Sequence, residues 1–311
     1  NALPVLGATQ YEGSDGTVAT LGLLQPYVAN QGDGWSYTLA YLERYLAEIR
    51  DTDGPPREDP HGAFLALVQI LGQRTAELHN ALALRTGDPA FDPQPMDMAE
   101  QESIRSAVRA DGRQTLELLR ASATALPEDM QRDVARLLDG AKSVEAFVDG
   151  VRFTGASGYR SRYHGDYHLG QVLVARNDFY IIDFEGEPTR PLEERRAKHS
   201  PLKDVAGMVR SFDYARWTAL RRTAQNSDEL VRLAGAAAEW KAQTVGAFLD
   251  GYRHALDAKL GPVDPLLLSL FELEKAWYEL RYELNNRPDW LSVPLQGILA
   301  MVANANRQAL P

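Results

Sequence analysis

Strand-like sequence occurs in only two places in this chain, and almost everything else carries helical periodicity. Residues 3–11 and 17–28 (TVATLGLLQPYV) are rich in Val, Leu, Thr and Tyr around the turn GSDG, the pattern of a hairpin whose second strand stops near Pro26. The other place is VLVA at 172–175 and FYII at 179–182, separated by the turn-like RND. After the turn-rich NQGDG at 30–34, Trp35, Leu39, Leu42, Tyr45, Leu46 and Ile49 keep helical spacing. Further helices are predicted at 65–84, 98–122, 132–151, 203–223, 228–258, 265–285 and 293–308, with proline-rich breaks at 53–60 and 88–97. The layout is a small β piece, a short connector, and a large α body carrying one internal hairpin.

Composition excludes several functions. With 44% hydrophobic and 24% charged residues over 311 positions, the chain has the balance of a globular protein with a sizeable core. A formal charge of -10 argues against nucleic-acid binding, which draws its affinity from cations neutralising phosphates. Phosphate handled by such a chain is expected to arrive with a metal. The absence of Cys excludes disulfides and thiolate metal sites and makes a reducing cytoplasm the expected compartment. GAFLALVQILG at 62–72 is too short to cross a bilayer, so no membrane partner is expected.

The internal hairpin carries the chemistry. Centring its turn on Asn177 sets Gln171 opposite Asp183 at the open end, with Glu185 and Glu187 just beyond. The preceding HGDYHLG is a glycine-punctuated loop able to bring Asp166 to the same end. Oxygen ligands gathered in this way suit Mg²⁺, which takes one or two carboxylates plus substrate phosphates and water. A lone HGD or DF is usually a turn or cap. The joint spacing H-x-D-x-x-x-x-Q followed by D-F, with strand-turn-strand between, points to a phosphoryl-transfer site.

HGDYHLGQVL followed by IIDFEGEP resembles the catalytic loop and metal-binding segment of the aminoglycoside-phosphotransferase-like branch of the protein kinase fold. Within that branch the chain looks most like the maltokinases, through LLQPYVANQGDGWSYTL at 23–39, HSPLKDVAGMVRSFDYA at 199–215 and EKAWYELRYELNNRPDW at 274–290. The resemblance implies an α+β, protein-kinase-like fold, with residues 1–29 as the C-terminal part of the small lobe and the hinge, and 30–311 as the helical large lobe. It implies ATP and Mg²⁺ as cofactors, maltose as the sugar partner, maltose 1-phosphate as product, and association with a trehalose synthase. By the same resemblance Asp166 orients and deprotonates the sugar hydroxyl, while Asp183 and Gln171 hold the metal and Glu185 adds a contact to it. Backbone near Gln25 to Val28 meets the adenine, and Asp204 braces the catalytic loop. His164 and His168 read as structural residues that fix the loop through their ring nitrogens. A related small-molecule kinase, for glucosamine or an aminoglycoside, is the alternative, and an acidic pocket for a cationic substrate would mark it. A catalytically silent sugar-binding module is a second.

On the sugar side, Lys275, Glu279 and Tyr282 recur at i, i+4 and i+7 of one predicted helix, with Tyr278 about 60° to one side at about 100° per residue. This polar and aromatic face is the expected sugar contact, and Trp277 and Leu280 are expected in the core. The segment 190–201 (RPLEERRAKHSP) reads as a solvated loop. No glycine-rich loop precedes residue 23 and no strand carries a lysine, so the chain reads as starting inside the small lobe, with little ATP-dependent turnover expected from it alone.

Overall fold

In a computed structural model, which describes residues 1–52, 59–151 and 158–308, the chain builds its two hairpins at one end of a helical body. Strands β1 (Gly7–Glu12) and β2 (Val18–Leu24) pair antiparallel, with an irregularity between Thr9 and Gln10. The connector then docks on the internal hairpin: the Gln31 N–H donates to the Val174 carbonyl at 2.8 Å, and the Val174 N–H to the Gly32 carbonyl at 3.0 Å. Helix α1 (Gly34–Asp51) starts at once, because the Asp33 carboxylate accepts the Ser36 N–H at 2.7 Å and caps its first turn.

Helix α2 (Gly62–Leu82) follows, then a two-residue strand β3 (Gln94–Pro95) and helix α3 (Met98–Ser122), capped by the reciprocal pair Asp97 and Glu100. The single helix expected at 132–151 is two, α4 (Glu128–Asp139) and α5 (Ala141–Gly150), because the chain turns at Gly140. Strand β4 (Tyr159–Arg160) pairs with β3. Of the proline-rich break at 53–60, residues 53–58 lie outside the described residues.

The internal hairpin comprises β5 (Val172–Ala175) and β6 (Asp178–Ile181), and its register departs by one residue from the sequence reading. Arg176 and Asn177 have φ of 54° and 58°, so the turn uses two residues rather than three. Val172 therefore faces Ile181, and the Ile182 N–H donates to the Gln171 carbonyl at 3.0 Å. Gln171 and Asp183 are one step out of register, and their side chains make up the difference.

After the short α6 (Leu192–Arg196), helices α7 (Leu202–Thr223), α8 (Ser227–Ala255), α9 (Pro265–Asn286) and α10 (Ser292–Gln308) complete the body. α1, α2, α7 and α8 enclose one core around Trp240, Phe212 and Phe248; α3, α4, α5 and α10 enclose another around Leu119, Val134 and Ile298. α9 serves both, with Phe271 in the first and Trp277 and Leu280 in the second. α2 and α8 cross at backbone contact. A Cβ on Gly72 would lie 2.0 Å from the Phe248 carbonyl oxygen, and one on Gly251 2.0 Å from that of Gln69, so only glycine fits at either place. No described helix is long and apolar enough to cross a membrane.

Candidate active site

The loop from Ser161 to Gln171 is held on all sides by polar groups that lie far away in sequence. Its start pairs with His199 through two backbone hydrogen bonds of 3.0 Å. Asp204, in the first turn of α7 and 2% exposed, accepts the His164 N–H at 2.7 Å on Oδ2 and the Gly165 N–H at 3.0 Å on Oδ1. Gly165 has φ of 87°, and a Cβ there would press on the Gly186 Cα at 3.2 Å, which brings the loop against the segment that follows Asp183. His164 Nε2 donates to the Ile182 carbonyl at 2.8 Å, leaving Nδ1 to accept the Asp166 N–H at 3.4 Å. His168 Nδ1 accepts the Gly170 N–H at 3.0 Å. Both imidazoles therefore shape the loop backbone, in the manner expected of them.

Asp166 faces an open cleft of about 590 Å³, mouth included, whose lining includes Asp111, Glu187, Arg190, Lys203, Glu274, Lys275 and Tyr278. Lys275 Nζ lies 3.8 Å from Asp166 Oδ1 and 5.1 Å from the centre of the Tyr278 ring. Burial pushes the Asp166 carboxyl up, but the His168 imidazole, 3.7 Å away, and the Lys275 ammonium outweigh it and hold the group below the ordinary carboxylate range. Asp166 is thus an anion at neutral pH. Lys203 pairs with Glu274 at 2.9 Å and Arg281 with Asp111 at 3.1 Å. Glu187 accepts a hydrogen bond from the Thr189 hydroxyl at 3.1 Å, and that hydroxyl lies 3.3 Å from the Tyr278 hydroxyl.

The sequence-predicted sugar face divides in two. Lys275 and Tyr278 line the cleft. Tyr282 lies outside its lining, stacked on Tyr278 with ring centres 6.3 Å apart. Glu279 points the other way, 8% exposed, and accepts from Arg210 Nη2 at 2.7 Å and Nε at 2.9 Å. The i+4 step overshoots a full turn by about 40°, and that rotation carries Glu279 from the cleft toward α7. Arg190, at the edge of the segment read as a solvated loop, instead reaches the cleft, 5.9 Å from the Tyr278 ring centre.

At the open end of the hairpin, the Gln171 amide donates to Asp183 Oδ2 at 3.1 Å. Asp183 has φ of 63°, a left-handed conformation that is uncommon outside Gly and that Asp adopts more readily than most residues. One carboxylate and one amide fit Mg²⁺, which fills its remaining positions with phosphate oxygens and water. Glu185 is turned aside: its side chain is 61% exposed and its Oε2 is 3.9 Å from Arg195 Nη1. In the connector, Gln25 donates to the Leu3 carbonyl at 3.2 Å, and the Val28 carbonyl accepts from the Asn30 amide at 2.9 Å.

Sequence reasoning missed Asp111, Lys203 and Glu274 in the cleft, and three further residues behind the loop. Thr75 Oγ1 donates to the Leu71 carbonyl and so accepts from the Tyr167 hydroxyl, each at 2.8 Å. His79 Nε2 is 3.1 Å from Asp204 Oδ2, and its Nδ1 is 2.9 Å from the Tyr252 hydroxyl.

No protein-family model matches the chain. Among curated proteins it is 29% identical over 273 residues to a glucosamine kinase of Streptacidiphilus jiangxiensis, covering 86% of this chain and 54% of that protein. It is 28% identical over 305 residues to a glucosamine kinase of Mycolicibacterium smegmatis, covering 95% of this chain and 66% of that protein. The chain thus spans between half and two thirds of the length of these relatives. Among solved structures, a glucosamine kinase in complex with glucosamine, ADP and inorganic phosphate superposes with a TM-score of 0.69 at 25% identity, over 92% of this chain and 61% of that one. A second glucosamine kinase crystal form superposes with a TM-score of 0.73 at 23% identity, over 97% and 68%. The chain shares the α+β, kinase-like fold of these glucosamine kinase structures.

Proposed function

We propose that this chain is the catalytic part of a kinase that transfers the γ-phosphoryl group of ATP to a hydroxyl of an amino sugar, with glucosamine as the first candidate. The observation that carries this reading is the cleft in front of Asp166, where Asp111, Glu187 and Glu274 stand among the lining residues. Glucosamine is an ammonium ion at neutral pH, and the five carboxylates of the lining, Asp166 and Asp204 included, outnumber its three cations, Arg190, Lys203 and Lys275, an excess that favours it over a neutral sugar. The relatives matched are glucosamine kinases, and nothing in them supports the maltose and trehalose synthase parts of the sequence resemblance. The expected preference for maltose therefore gives way to an amino sugar.

In this mechanism Asp166 accepts a hydrogen bond from the attacking hydroxyl and takes its proton as the oxygen bonds to phosphorus and the bond from phosphorus to the ADP oxygen breaks. Its lowered pKa keeps it ionised and ready to accept, and the bracing of His164 and Gly165 by Asp204 fixes where it stands. Asp183 and Gln171 would hold Mg²⁺, which neutralises charge on the ATP phosphates. Tyr278 offers a ring face for packing against sugar C–H groups, and Lys275 a donor for hydroxyls. The connector between Gln25 and Val28 would meet the adenine.

The test is to incubate the complete protein with ATP, Mg²⁺ and either glucosamine, glucose or maltose, and to locate the phosphate by NMR. Preferred turnover of glucosamine supports the reading. Preferred turnover of maltose with phosphate at the anomeric carbon would restore the maltokinase assignment, and no transfer to any sugar would leave a binding module.

A further inference from the structure

Behind the catalytic loop lies a hydrogen-bonded chain that the proposed chemistry does not itself require. Thr75, His79, Asp204 and Tyr252 are at most 2% exposed, and they join α2, α7 and α8 beneath Asp166. The crossing at Gly72 and Gly251 creates this arrangement. Backbone contact there sets Tyr252 beside α2, and His79, two turns beyond Gly72, comes within reach of its hydroxyl. Burial raises the Tyr252 phenol well above its ordinary range, so its proton stays in place. The Asp204 carboxylate can only accept, having already taken the His164 and Gly165 N–H groups, so His79 Nε2 carries the proton and donates to Oδ2, with the Tyr252 hydroxyl set against Nδ1. That same oxygen accepts the His164 N–H, while Oδ1 accepts the Gly165 N–H.

We propose that His79 and Tyr252 are positioning residues for phosphoryl transfer, a role that rests on the kinase reading: they lock the orientation of the Asp204 carboxylate, and through it the loop that aims Asp166. With His79 absent, Asp204 keeps its loop contacts but loses the partner opposing them. Its carboxylate can then rotate, and the turn at Gly165 with it. Asp166 must stand within hydrogen-bond reach of the attacking hydroxyl, and a displacement of about 1 Å in such a group costs on the order of a hundredfold in rate. Asp204 itself lines the cleft, but His79 and Tyr252 stand outside its lining and outside the connector, so their loss is expected to act on the aim of Asp166 more than on substrate affinity.

The proposal is tested with His79→Gln, His79→Phe and Tyr252→Phe. A glutamine amide can still donate toward Asp204, a phenylalanine fills the space with no donor, and Tyr252→Phe removes only one hydroxyl. In the complete protein, His79→Phe is expected to lower kcat at least tenfold with the KM values for ATP and sugar within about twofold. His79→Gln should recover most of that loss, and Tyr252→Phe should lose several-fold. In this chain alone, amide hydrogen exchange at His164 and Gly165 should accelerate in His79→Phe and return toward wild type in His79→Gln. If His79→Phe does not fold, Tyr252→Phe carries both measurements. Unchanged kcat in a folded His79→Phe or Tyr252→Phe overturns the positioning role, whatever the exchange shows. Should the wild-type protein phosphorylate none of the sugars, the kinase reading fails and the positioning role with it. Amide exchange then decides the bracing separately, and unchanged rates at His164 and Gly165 would sink that too.

Discussion

The Lys275 ammonium lies 3.8 Å from the Asp166 carboxylate, across the cleft between α9 and the catalytic loop, and contributes to holding that carboxylate below its ordinary range. In the proposed role of Asp166 as base the working form is the anion, so a lowered pKa extends activity toward acid. Removing the ammonium in Lys275→Met raises the Asp166 pKa, and the acidic limb of a kcat/KM profile should move modestly to higher pH. His168 still faces Asp166 in that variant, which is why the shift stays small. The profile of the complete protein against pH checks it, and a limb that stays in place would separate Lys275 from Asp166.

Asp166 and Asp183 should fail in different ways. Asp166→Asn keeps the shape of the loop, whose N–H groups are bound by Asp204 and His164 rather than by the Asp166 carboxylate. It should lower kcat by about two to four orders of magnitude while nucleotide binding persists. Asp183→Ala removes the carboxylate that meets Gln171 and should abolish Mg²⁺-dependent nucleotide binding instead. Titration of each variant with ATP, with and without Mg²⁺, separates the two. Near-normal turnover in Asp166→Asn would remove it from its role, and an unchanged metal dependence in Asp183→Ala would do the same for that residue.

Glu279 shares a helix face with Lys275 in the sequence but a buried ion pair with Arg210 in the fold. Arg210 is 1% exposed and also meets Asp213 at 2.9 Å, so it is one member of a buried charge cluster between α7 and α9. Glu279→Ala leaves part of that charge uncompensated and should cost about 3–5 kcal/mol of stability. Glu279→Gln still accepts one hydrogen bond from the guanidinium and should cost less. Sugar affinity in Glu279→Gln should match wild type, measured by calorimetry beside a denaturant melt. A tenfold loss of sugar affinity at unchanged stability would return Glu279 to the sugar site.

What was legible in the sequence follows from how local each signal is. Helix positions came through because a stripe such as Trp35, Leu39, Leu42, Leu46 repeats over several turns, and four of its members face one core. The HGD and DF motifs are contiguous, and the bracing by Asp204 came with the family pattern. The hairpin register was not legible, because it hangs on whether Arg176 adopts positive φ, and arginine gives no such cue. The division of residues 132–151 had a signal in Asp139-Gly140 that the surrounding helical spacing masked. Thr75, His79 and Tyr252 sit on apolar helix faces, where polar residues look incidental. His79 and Tyr252 meet only because two glycines let α2 and α8 touch, a relationship between positions 173 residues apart.

His199 ties the entry of the catalytic loop to the segment before α7, and its burial makes the fold sensitive to acid. Desolvation first, then the nearby Lys203, Arg190 and Arg160 charges, lower its pKa from 6.5 to about 4. Both effects disfavour the imidazolium in the folded state. The unfolded chain takes up a proton near pH 6.5, whereas the folded chain does so only near pH 4. Between those values the unfolded state binds more protons, so stability falls as pH is lowered across that window and levels off below it. The difference amounts to at most about 3 kcal/mol, and about 2 kcal/mol at pH 5. His199→Gln keeps the backbone bonds to Ser161 and removes the titrating ring, so its denaturation midpoint should fall less than that of wild type between about pH 7 and pH 5. His61, whose pKa burial also lowers, leaves a residual slope of the same sign in both proteins. Equal slopes for wild type and His199→Gln would show that the imidazole near Tyr163 is not protected from protonation in the folded state.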